Sequence, residues 1–210
     1  MLKVFVVDDH PVVREGVKGI LSDIPDVVVA GEAADAKQAL RQTYEGDYDL
    51  VLLDISMPGV GGLEVLKQLK SEKPHLPVLM LSMYPEEQYA IRSLKAGASG
   101  YLTKESAPQE LIAAIRKVCS GGKYVSASLA EKLASYLDTD LEKPVHESLS
   151  DREYQVVRMI ASGKTVTEIA AELSLSVKTI STNRTRALKK MRMTTNAEIT
   201  HYAIRHGLVE

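Results

Sequence analysis

Three aspartates stand directly after apolar runs that are typical of buried β-strands. Asp8 and Asp9 follow the run Lys3–Val7, and Asp54 follows the run Leu50–Leu53. Crowded carboxylates repel one another, so some of them would protonate unless a cation joined them. A hard divalent ion such as Mg²⁺ suits oxygen ligands of this kind, keeps several waters and leaves room for a phosphoryl group. The alternative is that the first two aspartates only cap the helix that follows them.

Two more polar residues end later apolar runs. Ser82 closes the run Val78–Ser82, and Lys104 follows the run Ser99–Thr103. Taken singly, the serine is a strand terminator and the lysine is a surface residue. Beside carboxylates and a metal ion, a hydroxyl donor and a flexible cation form a site for a phosphoryl dianion. The combination of these groups at the ends of four strands predicts that site, and no single residue does.

The elements that must position these groups alternate along residues 1–122. Five short apolar runs, the second at Val27–Gly31, are separated by segments whose apolar residues recur at helical spacing. This order predicts an α/β fold with a five-stranded parallel sheet, helices on both faces and strands buried on both sides. In such a doubly wound sheet, ligands bind beyond the carboxyl ends of the strands where the strand order reverses. A reversal between the first and third strands would bring the three aspartates into one crevice.

Residues 1–122 resemble the receiver domain of bacterial two-component response regulators. The matching stretches are Val-Val-Asp8-Asp9-His, Leu-Leu-Asp54-Ile-Ser-Met-Pro58-Gly, Leu-Ser82 and Gly100-Tyr-Leu-Thr-Lys104. The resemblance implies a CheY-like (βα)5 fold and a domain that takes a phosphoryl group from the phosphohistidine of a sensor histidine kinase. It implies no enzyme activity beyond self-phosphotransfer and slow autodephosphorylation.

The same resemblance implies a role for each acidic residue. Asp54 is the phosphoacceptor. Asp9, Asp54 and the backbone carbonyl of Ser56 bind Mg²⁺ directly, and Asp8 binds it through a water molecule.

The resemblance also implies roles for the other polar groups at this edge. Lys104 pairs with the phosphoryl oxygens, and the Ser82 hydroxyl moves to bond one of them. Tyr101 matches the aromatic switch position that turns inward when that hydroxyl moves, with a half-buried tyrosine on an edge strand as the alternative. The chain departs from many receivers at Glu105, where proline commonly follows the lysine.

Residues 123–148 separate two regions of different character. Residues 126–137 predict a short amphipathic helix. The stretch 138–147 is charged, contains Pro144 and lacks periodicity, so it is predicted to be an exposed linker.

Residues 149–210 predict a small all-α domain of four helices. Ser150-Asp-Arg-Glu153 and Thr165-Val-Thr-Glu168 have the form of capping boxes, each ahead of an apolar stripe. A third helix is predicted to begin near Ser176 and a fourth near Asn196. Only Ser174-Leu175 joins the second helix to the third, which is the tight connection of a helix-turn-helix.

The third of these helices has the charge of a nucleic-acid-binding element. Residues 176–192 contain six basic residues and no acid. A stripe from Val177 through Ile180 to Met191 predicts the buried face, and short hydroxyl side chains flanked by cations lie opposite. Such a face suits a helix in the major groove of double-stranded DNA, with a solvated basic face as the alternative. The predicted DNA contacts are Lys178, Thr179, Ser181, Thr182, Arg184, Thr185, Arg186 and Lys189, of which Arg184 lies toward the core and is assigned to a phosphate.

The C-terminal region is similar to the LuxR-type helix-turn-helix of the NarL/FixJ group of response regulators, and within that group to the GacA/UvrY branch. The resemblance implies transcription regulation by phosphorylation-switched DNA binding, with a homodimer as the phosphorylated form and RNA polymerase as a further partner. Ser181 and Asn183 replace residues that are common in the family, which leaves open the side chains that touch bases. The matching stretches are Leu149-Ser-Asp-Arg-Glu153, Glu168-Ile-Ala-Ala-Glu-Leu, Leu175-Ser-Val-Lys-Thr-Ile180 and Ile204-Arg-His-Gly-Leu208.

Composition limits the remaining classes of protein. Of the 210 residues, 45% are apolar and 26% are charged, and the net charge of −2 divides into −4 for residues 1–122, −2 for 123–148 and +4 for 149–210. The apolar runs are too short to span a bilayer, and the amino terminus carries acids where a secretory signal continues its apolar core. A single cysteine, Cys119, forms no internal disulfide. These features favour the cytoplasm, no membrane partner and a nucleic-acid partner for the basic third of the chain.

Two other functions compete with this interpretation. A phosphatase of the haloacid dehalogenase type also uses a strand-end aspartate and Mg²⁺. That class requires Asp-x-Asp after its first strand, and neither Asp8-Asp9-His nor Asp54-Ile-Ser supplies the second aspartate. A constitutive DNA-binding protein, with the front domain as an interaction module only, gains no support from the acidic cluster, because every side chain required for phosphorylation is present.

Overall fold

A computed structural model describes residues 1–138 and 144–209, apart from the side chains of Glu87, Lys132 and residues 135–138. Backbone contacts divide the chain into two compact units, Met1–Tyr136 and Leu137–Glu210. The predicted boundaries at 122 and 149 remain predictions.

The first unit contains a five-stranded parallel sheet in the order β2-β1-β3-β4-β5. The predicted doubly wound α/β fold is therefore confirmed, and the reversal of strand order falls between β1 and β3. The strands lie within one or two residues of the predicted apolar runs, because buried ladder positions require apolar side chains on both faces. Their bounds are β1 (Leu2–Val7), β2 (Val27–Ala33), β3 (Leu50–Asp54), β4 (Val78–Ser82) and β5 (Gly100–Thr103).

A helix follows each strand, and the five helices cover both faces of the sheet. Alternate residues of a strand point to opposite faces, so that Val4 and Val6 lie in one core cluster with residues of the first and fifth helices. The second, third and fourth helices pack against β2, β3 and β5 respectively. The bounds are α1 (Pro11–Ser22), α2 (Ala36–Glu45), α3 (Gly62–Glu72), α4 (Glu86–Lys95) and α5 (Ala107–Cys119).

One strand does not match the predicted burial. All five were expected to be buried on both sides, yet only the two end residues of β2, Val27 and Ala33, are buried. The expectation is wrong for this strand. β2 lies at one edge of the sheet, whereas β5, at the other edge, is bridged on its open side by Tyr124 and is buried.

The segment after α5 returns to the sheet before the next helix begins. Gly121 takes a φ of 86°, and the Tyr124 N–H then donates to the Ser99 carbonyl at 2.9 Å. Helix α6 (Ala127–Asp138) confirms the predicted short helix, with the Ser126 hydroxyl accepting the Leu129 N–H. The middle of the predicted linker, residues 139–143, lies outside the described residues.

The second unit holds four α-helices preceded by one short 3-10 helix, Val145–Ser148. Residues 145–148 were assigned to the exposed linker, but His146 Nδ1 lies 2.9 Å from the Tyr202 hydroxyl, so this part of the segment packs on the helices. The α-helices are α7 (Asp151–Ala161), α8 (Val166–Glu172), α9 (Val177–Met191) and α10 (Asn196–Arg205).

The local signals for these helices are confirmed. Capping boxes begin α7 at Ser150 and α8 at Thr165, and a third begins α10 at Thr195. Ser174 takes a φ of 52° in the turn between α8 and α9. Val177 was placed on the buried stripe of α9, but it is 47% exposed, because the first turn of the helix extends past the packed core.

Candidate functional site

The carboxyl ends of β1, β3, β4 and β5 bring the predicted polar groups to one edge of the sheet. Asp8, Asp54 and Ser82 are completely buried. The ammonium of Lys104 lies 2.7 Å from Asp8 Oδ2 and 3.2 Å from Asp54 Oδ1. A backbone bond from the Lys104 N–H to the Ser82 carbonyl, 2.7 Å long, fixes the start of the loop that carries Glu105.

Asp54 lies in an environment that opposes its charge. Burial raises its pKa to about 6, against the partial opposition of the Lys104 charge, and the neighbouring Asp8 carboxylate raises it further. Asp54 Oδ2 is buried and accepts no hydrogen bond from the described residues. A buried, unsatisfied carboxylate oxygen is costly unless a cation or a donor engages it.

The oxygen-rich cluster has the composition of a site for a hard divalent cation. Asp8, Asp9, His10 and Asp54 each offer one ligand atom, and these atoms all lie within 4.8 Å of one another. Three carboxylates suit a cation such as Mg²⁺, and Asp54 supplies one of the ligand atoms. His10 Nδ1 lies 3.0 Å from Asp9 Oδ1.

Ser82 and Tyr101 hold the same loop residue from two sides. Ser82 Oγ accepts the Tyr84 N–H at 3.0 Å, and the Tyr101 hydroxyl donates to the Tyr84 carbonyl at 2.8 Å. Tyr101 is completely buried, so the alternative of a half-buried edge-strand tyrosine is wrong. A movement of the Ser82 hydroxyl would therefore act on the residue, Tyr84, to which Tyr101 is hydrogen-bonded.

The predicted DNA-contacting residues of α9 are all exposed or half-buried. Thr182 and Thr185 turn their hydroxyls back along the helix and donate to the Lys178 and Ser181 carbonyls, each at 2.9 Å. A hydroxyl that donates in this way keeps acceptor capacity for an outside partner. The exposed members of the set are Lys178, Thr179, Thr182, Thr185, Arg186 and Lys189, and the half-buried members are Ser181 and Arg184.

Two cations of α9 are engaged inside the unit. Arg184 Nε donates to Asn196 Oδ1 at 2.6 Å, so part of this guanidinium fastens α9 to α10. Lys190 Nζ lies 2.6 Å from the buried Glu153 carboxylate of α7. Lys190, one of the six basic residues of the stretch 176–192, therefore serves the packing of the helices.

Family comparisons match both units. Residues 4–116 match the response regulator receiver domain, and residues 147–203 match the bacterial regulatory proteins of the luxR family. The chain therefore belongs to the response regulators that join a receiver to a LuxR-type DNA-binding domain. Proteins of the response regulator family are generally not catalytic enzymes.

Individual relatives agree with that class over the whole chain. Response regulator UvrY of Escherichia coli K12 is 40% identical over 209 residues, covering 99% of this chain and 96% of UvrY. Response regulator GacA of Pseudomonas aeruginosa is 39% identical over 212 residues, covering 100% and 99%. A structure of RcsB from Salmonella enterica serovar Typhimurium, bound to the promoter rprA with phosphomimetic BeF3−, superposes with a TM-score of 0.67 at 28% identity, covering 96% of this chain and 97% of RcsB.

The described part of the chain holds no helix long and apolar enough to cross a membrane.

Proposed function

We propose that this response regulator takes a phosphoryl group on Asp54 from the phosphohistidine of a sensor histidine kinase, and that this transfer switches DNA binding by its LuxR-type domain. One observation carries the proposal. Asp54 is completely buried, has one carboxylate oxygen without a hydrogen bond from the described residues, and lies 3.2 Å from the only ammonium group that ion-pairs with it there. A strand-end carboxylate in that setting is poised to react with an electrophile once a cation occupies the neighbouring ligand cluster.

The transfer is a displacement at phosphorus. A carboxylate oxygen of Asp54 forms the new P–O bond while the P–N bond to the kinase histidine breaks, and the imidazole leaves with the electron pair and takes up a proton. Lys104 would pair with a phosphoryl oxygen, since its ammonium already bridges Asp8 and Asp54. The Ser82 hydroxyl would donate to another oxygen and loosen its bond from the Tyr84 N–H, and Tyr101 would respond through the Tyr84 carbonyl.

The cation of the site is proposed to be Mg²⁺. Asp9, Asp54 and the Ser56 backbone carbonyl would hold it directly, and Asp8 through water. When bound, Mg²⁺ neutralises charge that builds on the phosphoryl oxygens.

The output is proposed to be sequence-specific binding to double-stranded DNA in the cytoplasm. Support comes from the luxR-family match and from the RcsB relative bound to a promoter. Phosphorylation would favour a homodimer, which presents two copies of α9 to the two halves of an operator. At the promoter the dimer would act on transcription through RNA polymerase.

The phosphorylation proposal is tested by labelling the full chain with acetyl phosphate and Mg²⁺ and recording intact mass. Wild type should gain one phosphoryl group. Asp54→Asn should gain none, and Asp9→Ala should label more slowly because a cation ligand is lost. Asp47→Asn is the matched control, since that carboxylate is 94% exposed and pairs only with Lys3 among the described residues.

Two results would contradict the proposal. One is an Asp54→Asn protein that labels as well as wild type. The other is labelling that proceeds unchanged in EDTA.

A further inference from the structure

Arg14 reaches from α1 back to the loop that carries the acidic pair. Its Nη1 donates to the Asp8 backbone carbonyl at 2.7 Å, and its side chain is only 17% exposed. Arg14 is the fourth residue of α1. A cation near the amino terminus of a helix is disfavoured by the helix dipole, so its place there calls for a local compensation.

That compensation comes from β2. Arg14 Nε lies 3.2 Å from Glu32 Oε2, and Lys18 Nζ lies 2.6 Å from Glu32 Oε1. The hydrogen bond from Lys18 holds the pKa of Glu32 below its usual range, so this carboxylate stays ionised. Gln42 Nε2 donates to the Glu32 carbonyl at 3.0 Å and fixes the backbone from which the carboxylate extends. The Arg14 guanidinium is therefore held by Glu32 through Nε, while its Nη1 holds the loop that carries the acidic pair.

The hydrogen bond from Arg14 gives a partner to the last polar group of Asp8. The Asp8 N–H donates to the Ala33 carbonyl at 3.1 Å, and Asp8 Oδ1 accepts the His10 N–H at 2.9 Å. Asp8 Oδ2 pairs with Lys104. The carbonyl is the remaining polar group, and it belongs to the peptide that joins Asp8 to Asp9. Since a peptide unit is planar, holding that oxygen also sets the direction in which Asp9 leaves the strand.

We propose that Arg14 is a positioning residue for the cation site. It fixes the Asp8–Asp9 peptide so that both carboxylates face the crevice beside Asp54, and Glu32 holds and neutralises its guanidinium. The inference rests on the proposed function only in taking this crevice as the cation site of the receiver.

For the removal of Arg14, the proposal predicts a change in Mg²⁺ affinity opposite to the change that charge alone predicts. A positive side chain near a cation site repels the cation, so its removal by charge alone would tighten Mg²⁺ binding. If Arg14 positions the ligands, its removal weakens binding instead. Loss of a group that orients metal ligands typically costs about 10- to 100-fold in affinity.

The experiment compares Mg²⁺ affinity across variants of the full chain by isothermal titration, with thermal midpoints recorded beside it. Arg14→Met keeps the aliphatic stem and should weaken Mg²⁺ binding about tenfold. Arg14→Lys keeps the charge but cannot bridge the Asp8 carbonyl and Glu32 together. Its Mg²⁺ affinity should therefore lie between the affinities of wild type and Arg14→Met. The control is Arg41→Met on the exposed surface of α2, which should bind Mg²⁺ as wild type does.

A double-mutant cycle tests whether Glu32 acts through Arg14. Glu32→Gln should weaken Mg²⁺ binding in the wild-type background and change nothing further in Arg14→Met. In acetyl phosphate labelling, Arg14→Met should raise the Mg²⁺ concentration for half-maximal rate while the rate at saturating Mg²⁺ stays within about twofold.

Arg14→Met that binds Mg²⁺ as tightly as wild type, or more tightly, would overturn the proposal. If that variant unfolds below the assay temperature, Arg14→Lys decides the question in the same way. The outcome is separable from the proposed function, because wild type that binds Mg²⁺ but never labels at Asp54 contradicts phosphorylation and leaves the positioning role standing.

Discussion

At the scale of the residue, ionisation of the proposed phosphoacceptor, Asp54, costs free energy in the folded chain. Asp54 is buried beside another carboxylate, and it shares its cationic partner, Lys104, with Asp8. Its pKa of about 6 means that the folded chain prefers the neutral acid more strongly than the unfolded chain does. A cation brought to the site relieves that cost, so the raised pKa of Asp54 favours cation binding there.

Replacing Asp54 with asparagine should therefore stabilise the receiver in the absence of divalent cations. The raised pKa favours folding fully below the unfolded value of 3.8, and this advantage is lost as pH rises through about 6. Asparagine resembles the neutral acid, so Asp54→Asn should gain about 2–3 kcal/mol over wild type at pH 7.5. The gain should shrink at pH 5, as measured by urea unfolding in EDTA.

Asp47→Asn provides the comparison for that measurement, because its carboxylate is exposed. It should leave the free energy of unfolding unchanged at both pH values. A loss of stability in Asp54→Asn at pH 7.5, or a gain that does not depend on pH, would show that burial does not govern this carboxylate.

At the scale of the element, the start of α3 is packed directly against the end of β3. A Cβ built on Gly62 would lie 1.9 Å from the Asp54 carbonyl oxygen, which is backbone and cannot turn aside. Gly62→Ala should therefore displace the loop that carries Asp54, lower the free energy of unfolding by about 2 kcal/mol or more and slow acetyl phosphate labelling.

Gly16→Ala in α1 is the matched control. Nothing lies within 4 Å of its built Cβ, and alanine in a helix interior is favoured over glycine by about 0.5–1 kcal/mol. This variant should be as stable as wild type or more so. Equal behaviour of the two alanine variants in unfolding and labelling would refute the close packing of α3 on β3.

Glu153 joins two helices of the second unit. Its carboxylate accepts the Ser150 N–H at 2.8 Å and pairs with Lys190 of α9. Burial raises its pKa, but these two partners outweigh burial and hold the pKa below its usual range. Glu153→Gln should therefore destabilise this unit by about 2 kcal/mol at pH 7.

The pH dependence of that loss follows from the lowered pKa. The contribution of Glu153 is present above its unfolded pKa of about 4.5 and is lost as pH falls through the lower folded value. The difference between Glu153→Gln and wild type should thus narrow at acid pH in thermal unfolding. Glu172→Gln, which breaks only a surface pair with Lys164, should not change the midpoint measurably.

The sequence predicts the elements of this chain more closely than it predicts the contacts between them. Apolar runs located all five strands, and capping boxes located α7 and α8, because both signals depend on neighbours within a few residues. The exposure of β2 and the burial of β5 depend on which edge of the sheet a later segment covers, and the exposure of Val177 depends on how the helices of the second unit pack. Neither exposure is local, so periodicity alone missed both.

The same division separates the acidic site from the residues that support it. Asp8, Asp9, Asp54, Ser82 and Lys104 were predictable because strand ends bring them to one edge. Arg14 and Glu32 were not predicted. An arginine in a helix and a glutamate on a strand are ordinary surface residues in the sequence, and only the packing of α1 against β2 brings them together. The one available signal was a cation near the amino terminus of α1.

At the scale of the whole molecule, charge is divided between the two regions. Residues 1–122 carry −4 and residues 149–210 carry +4. An acidic receiver does not add to DNA attraction, so affinity must come from the cations of the second unit. A homodimer doubles the number of such contacts and places two copies of α9 about one helical turn apart, so the preferred operator should be an inverted repeat.

Removing the cations of α9 and removing its hydroxyls should change DNA binding in different ways. Lys178 and Lys189 are exposed, and their predicted partners are phosphates, which every sequence presents alike. Lys178→Ala or Lys189→Ala should weaken binding to all duplexes and lower the salt slope by roughly one unit per lost contact. Thr182 and Thr185 donate to helix carbonyls and keep acceptor capacity for base N–H groups.

Thr182→Ala or Thr185→Ala should therefore cost on the order of 1–3 kcal/mol at the preferred operator only, with little change on scrambled DNA. The measurement is a salt titration of the phosphorylated full chain on operator and scrambled duplexes. Thr200→Ala in α10 is the matched control, because its hydroxyl makes the same back-bond to the Asn196 carbonyl at 3.0 Å outside the predicted DNA-contacting face. Lysine variants that lose only operator affinity, or threonine variants that lose affinity for both duplexes equally, would refute this division, because a phosphate contact cannot distinguish sequences and a base contact must.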